Sequence, residues 1–146
     1  MQKKNQAWIW VGAVIVVVIV VFALVWKPGS ATPEGPAPMR APAGQIVAGF
    51  PQQLVLDSSA QVNNSYSLNY ASTTQYTTQV NSSSSVSASF ASYQSYFNAN
   101  GWTILNLSQS SPTVQGLYAT NATAAATVTI VTEGSGSQVT ITYVPQ

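Results

Sequence analysis

The chain contains no cysteine and no histidine. The first absence excludes a disulfide framework, a thiolate metal site and a lipid-modified cysteine anchor. The second removes the side chain that most often moves protons near neutral pH. Charge is almost as scarce: Asp, Glu, Lys and Arg make up 5% of the 146 residues, against roughly 25% in an average soluble protein. All four basic residues, Lys3, Lys4, Lys27 and Arg40, precede residue 46, and beyond that point Asp57 and Glu133 are the only acidic side chains. Nucleic acid is disfavoured as a partner, because phosphate binding depends on clustered Lys and Arg.

These gaps restrict the chemistry of residues 46–146. Acid–base catalysis would fall to Asp57, expected in a strand, and Glu133, expected in a hairpin turn, both in solvated surroundings. A serine without a neighbouring base is not a nucleophile. Two carboxylates among amides and hydroxyls would form only a weak oxygen site for calcium. The expectation is a protein that is not an enzyme, with no catalytic, cofactor-binding or metal-ligating residues.

What is abundant is neutral polarity. Ser, Thr, Asn and Gln supply 49 of the 101 residues from Ile46 onward, so a folded domain here would present an uncharged, hydroxyl-rich and amide-rich surface. Four N-x-S/T sequons, at Asn63, Asn81, Asn106 and Asn121, are candidate glycosylation sites, although such a composition produces several by itself.

One long apolar run interrupts this pattern. Ala7 to Trp26 is 20 residues with no charge and no proline, which as a helix of about 1.5 Å rise per residue spans the ~30 Å hydrocarbon core. Trp8 and Trp10 at one end and Trp26 at the other fit the two interfacial aromatic belts. Lys3 and Lys4 precede the run while Lys27 follows it, which favours a cytoplasmic amino terminus and a carboxy-terminal domain outside. A cleaved signal peptide, with Val21 and Ala23 as the small residues before the cut, is the other reading; the run exceeds the usual apolar length of such peptides, about 7 to 15 residues. A type IV pilin leader fits less well, since no acidic residue follows Gln6 and Ala7 in "WIWVG".

Residues 27–45, "KPGSATPEGPAPMRAPAGQ", hold five prolines and three glycines and are expected to be an extended tether. The organisation read from sequence is therefore a tail at 1–6, a membrane helix at 7–26, a linker at 27–45 and an extracytoplasmic domain at 46–146.

Within that domain, "QQLVLDSSAQV" and "SYSLNYAS" read as two strands joined around Asn63 and Asn64, with Tyr66, Leu68 and Tyr70 on an apolar face and Ser67 on a wet one. Val86, Phe90, Tyr93 and Phe97 then recur at helical spacing, after serines suited to an N-cap and before Gly101, suited to a left-handed helix end. "WTILNLSQ", "VQGLYATN", "AAATVTIVT" and "SQVTITYV" alternate as strands, the last two joined by "EGSGS". The expected fold is α+β: one amphipathic helix packed on an antiparallel sheet of five or six strands.

"FP" before the first strands and "FASYQSYFNANGW" at the helix end together resemble a loose group of small bacterial envelope proteins that have a membrane anchor, a Pro-rich tether and a strand-strand-helix-strands domain. Phe90, Phe97, Gly101 and Trp102 match the group's pattern; Ala91 stands where it has a second aromatic. The resemblance covers residues 50 to about 105 and implies placement in the envelope and the fold.

Tyr66, Tyr70, Tyr93 and Tyr143 are expected in the core, and Tyr76, Tyr96 and Tyr118 at the surface as contact residues. The expected role is binding or structural, with an envelope protein, a polysaccharide or a second copy as partner besides the lipid bilayer. The alternative is self-assembly into a pilin-like filament or surface-layer-like lattice, because "AAATVTIVT" and "SQVTITYV" lack the lysine or proline that guards an edge strand.

Overall fold

The computed structural model describes residues 35–146; the expected membrane segment at 7–26 lies outside the described residues. Among the described residues no helix is long and apolar enough to cross a membrane. The chain forms β1 (Met39–Arg40), a 3-10 turn (Gln52–Leu54), β2 (Gln61–Asn69), β3 (Thr74–Ser82), α1 (Val86–Ala99), β4 (Thr103–Ser108), β5 (Val114–Thr120), β6 (Ala124–Glu133) and β7 (Gly136–Pro145). The fold is α+β, one helix on an antiparallel sheet, and the sheet has seven strands in the order β1-β2-β3-β7-β6-β5-β4. Strands β4 to β7 run as a meander that returns β7 to the side of β3, with Thr77 opposite Thr142.

The helix forms where the spacing predicts. Ser85 caps its start, its side chain accepting from the Ala88 N–H at 3.2 Å, and Val86, Phe90, Tyr93 and Phe97 are all buried. They meet the sheet face formed by Leu117 and Ala119 of β5, Ala126, Val128 and Ile130 of β6, and Val139 and Ile141 of β7. Burying one such side chain stabilises the fold by about 1.5–3 kcal/mol.

Three expectations are corrected. The five or six strands become seven, because residues 74–82 form β3, paired on both sides, and Met39–Arg40 of the expected tether pair with β2. Strand β3 hides its apolar signal: Thr78, fully buried, occupies an inward position and shares a 2.8 Å hydrogen bond with Ser65 Oγ. Thr is β-branched and fits an extended interior strand once its hydroxyl is satisfied.

The stretch "QQLVLDSSAQV" is not one strand. It holds the 3-10 turn, a loop with a turn at residues 58–59, and only the start of β2. Asn63 and Asn64 lie within β2 at a bulge rather than in a hairpin connection.

The faces of β2 are inverted relative to expectation. Ser65 and Ser67 point inward at 3% and 5% exposure, whereas Tyr66 lies on the opposite face beneath the Arg40 guanidinium, 5.6 Å from the ring centroid. Tyr70, expected in the core, is 47% exposed. The cause is the segment at residues 46–56, whose Ile46, Val47, Phe50 and Leu54 cover this half of the sheet. Its backbone approaches closely and needs an acceptor, and Ser65 Oγ receives the Val47 N–H at 2.9 Å. A small hydroxyl satisfies that donor where a ring would collide with the covering segment.

Candidate binding groove

Helix α1 ends in a pattern that places an aromatic side chain. Gly101 takes φ 74°, a left-handed conformation open to glycine at little steric cost. The Trp102 N–H then donates back to the Phe97 carbonyl at 3.1 Å, the long-range bond of a Schellman helix end. The hydrophobic contact that accompanies such an end is present as Trp102 edge-on to Phe97, with centroids 5.1 Å apart. Tyr96 meets Phe97 in a second edge contact at 5.7 Å.

Three other segments converge on this point. The 3-10 turn contributes Pro51, Gln53 and Leu54, β7 contributes Tyr143, and the β5–β6 connection contributes Asn121 and Thr123. Together with Tyr96, Asn100 and Trp102 they bound an open groove of about 270 Å³, near the lower end of ligand clefts, about 300–1,000 Å³. Among the described residues no charged side chain lines it.

The groove walls are held in place. Asn121 Oδ1 accepts from the Thr123 N–H at 2.9 Å and the Ala124 N–H at 2.8 Å, which fixes the amide and leaves its Nδ2 without a hydrogen-bond partner among the described residues. Asn100 Nδ2 donates to the Tyr96 carbonyl at 2.8 Å. The buried Tyr93 hydroxyl donates to the Leu54 carbonyl at 2.8 Å, pinning the 3-10 turn to α1. Burial raises the Tyr93 phenol well above its ordinary range and keeps it protonated. Among the described residues, no hydrogen bond engages the Tyr96 or Tyr143 hydroxyl, the Trp102 indole N–H or the Gln53 amide.

Of the three tyrosines expected as surface contacts, only Tyr96 lines the groove. Tyr76 is half-buried behind it, with its ring 6.3 Å from Tyr143 and close enough to Gly49 to exclude a Cβ there. Tyr118, 36% exposed, is on the far face of the sheet, opposite Asn106 and Thr127. Tyr143 was expected in the core and proves half-buried, lining the groove. Sequence reasoning missed Gln53, Trp102 and Tyr143 as lining residues; the Gly-Trp after the helix was the one signal that pointed here. Of the sequon asparagines, Asn63, Asn81 and Asn106 are exposed and Asn121 is built into the groove wall.

Asp57 is also relocated, from a strand to a loop. Its carboxylate accepts from Ser59 Oγ at 2.6 Å, the Ser59 N–H at 2.9 Å and Ser82 Oγ at 2.5 Å. The Ser59 hydroxyl first, then Ser82 and the Ser59 N–H, hold it below the usual carboxylate range. It ties the covering segment to β3. Among the described residues no three His, Cys, Asp or Glu side chains cluster.

The opposite face of the sheet is uncovered by the helix and carries one unbroken cross-strand row: Arg40, Tyr66, Thr77, Thr142, Thr127, Tyr118 and Asn106. The chain matches no protein-family model, no curated protein and no solved structure.

Proposed function

We propose that this protein is a non-enzymatic domain, anchored in the cytoplasmic membrane by residues 7–26 and displayed outside it, that binds another component of the cell envelope. The observation that carries the binding role is the groove at the end of α1, where aromatic rings border the Gln53 amide and the Tyr96 and Tyr143 hydroxyls, which no described residue engages. The placement is supported by the apolar run with its tryptophan belts and by the lysines before it. Protease added to spheroplasts expressing the full chain is expected to remove the domain and leave a small membrane-bound stub. Full protection of the domain overturns the placement.

Self-assembly is a second reading, and a specific observation keeps it, though not the one expected from sequence. Strands β6 and β7 are interior, each paired on both sides, so their lack of lysine leaves no edge open. Among the described residues the open edges are β1 and β4. The β1 edge is two residues long, includes Arg40 and is flanked by Pro38 and Pro42, all features that discourage pairing. Strand β4 has no charge and no proline, and exposes Leu105 at 61% and Leu107 at 44%. Its bulge at Leu105 leaves Asn106–Ser108 as regular edge, and a second copy's β4 is the occupant this reading assigns to it.

A further inference from the structure

We propose that the groove at the end of α1 is a saccharide site, taking an uncharged pyranose ring of an envelope polysaccharide against Trp102, Tyr96 and Tyr143. The inference rests on the binding-domain reading above and names its ligand class.

An anion would need a cation or a helix N-terminus, and neither is present: Arg40, the sole basic side chain among the described residues, lies on the far face over Tyr66. The helix end that borders the groove is the C-terminal one, whose partial negative charge opposes an anion. A cation would need a carboxylate, and of the acidic side chains among the described residues Asp57 is committed to Ser59 and Ser82 while Glu133 is at the β6–β7 hairpin. A peptide added as a strand would need a free backbone edge, and the groove is walled by a helix end, two turns and β7, an interior strand.

What remains is a neutral ligand with both apolar faces and many hydroxyls. A pyranose has C–H groups on its ring faces, which suit the electron-rich face of an aromatic ring. Its vicinal hydroxyls each donate and accept, which suits side-chain amides that do the same. Gln53 supplies an unengaged donor and acceptor, Asn121 Nδ2 a donor beside its fixed Oδ1, and Trp102, Tyr96 and Tyr143 supply rings with polar tips. The rings are preorganised, because Phe97, wholly buried, holds Tyr96 and Trp102 by edge contacts. Little ordering is left for the ligand to drive.

The test uses the full chain in lipid nanodiscs with 5-fluorotryptophan, read by fluorine NMR. Four tryptophans give four resonances, and Trp102→Phe assigns the one in the groove. Maltotriose, cellotriose and the N-acetylglucosamine trimer are the neutral probes. The glucosamine trimer, a cation, and trigalacturonate, an anion, are the charged ones. The expected result is a saturable shift of the Trp102 resonance with at least one neutral probe and none with the charged probes. Gln53→Ala should weaken that response about three- to tenfold, the equivalent of one neutral hydrogen bond. An unshifted Trp102 resonance in unliganded Gln53→Ala shows that the variant is folded. A Trp102 resonance that no neutral probe moves, an equal response to a charged probe, or an unchanged affinity in folded Gln53→Ala each overturns the proposal. Protease protection in spheroplasts overturns the placement alone, whereas cleavage there with no saccharide response overturns the ligand class alone.

Discussion

The Trp102 indole stands edge-on to the Phe97 ring with centroids 5.1 Å apart, and the same two residues share the backbone bond that closes α1. One helix end thus serves both packing and placement. Phe97→Ala removes the centre of the aromatic cluster and is expected to cost about 3–5 kcal/mol. Gly101→Ala forces a Cβ into a left-handed position and should cost about 1 kcal/mol, lowering the melting temperature by roughly 4–8 °C for a domain near 100 residues. Thermal unfolding of residues 35–146 followed by circular dichroism checks both.

The bond from Tyr93 to Leu54 predicts a separate loss. Tyr93→Phe keeps the ring but leaves the Leu54 carbonyl without its partner, at an expected cost of about 1–3 kcal/mol. Urea unfolding should show the midpoint fall with the slope unchanged. A variant as stable as the parent contradicts the assigned role of the bond.

The inverted face of β2 predicts a contrast that composition alone would reverse. Ser65→Ala strips the acceptor from Val47 and the partner from Thr78 and should destabilise by about 1–3 kcal/mol. Tyr70→Ala, at an exposed position beyond the strand, should stay within about 0.5 kcal/mol of the parent. Denaturation curves of the two variants side by side decide it.

Asp57 governs the acid limb. Its carboxyl is held below its ordinary value by Ser59 and Ser82, so the unfolded chain binds the proton more readily than the folded one. The stability this provides is fully present above the unfolded value, about 3.9, and is lost as pH falls through the lower folded value. Melting temperature should therefore stay level from pH 7 down to about pH 5 and decline below about pH 4. Asp57→Asn should remove most of that decline. A parent curve that is flat below pH 4 would contradict the hydrogen-bonded carboxylate.

Edge exposure predicts where assembly, if it occurs, is blocked. Asn106→Lys on β4 should abolish concentration-dependent association of residues 35–146 in sedimentation runs over a hundredfold range. Thr140→Lys, in interior β7, should not. A parent that remains monomeric throughout removes the assembly reading.

The helix was legible because four apolar residues at spacings of 4, 3 and 4 have no other periodicity to satisfy, and a serine cap and a left-handed glycine mark its ends in the local chain. Strands β6 and β7 and their hairpin were legible for the same reason: Ala124, Ala126, Val128 and Ile130 alternate strictly and all are buried. Local sequence therefore determined α1 and strands β4 to β7, where the apolar residues recur at the period of the element. Tertiary structure decided the rest. Strand β3 and the inward face of β2 are buried by hydroxyls whose cost is offset only when Ser65, Thr78 and the Val47 backbone meet, and such pairing between distant segments leaves no period in the sequence. The groove belongs to the same class, because Gln53, Trp102, Asn121 and Tyr143 come from four segments and are adjacent only once the β4–β7 meander returns beside β3 and the covering segment folds across the sheet.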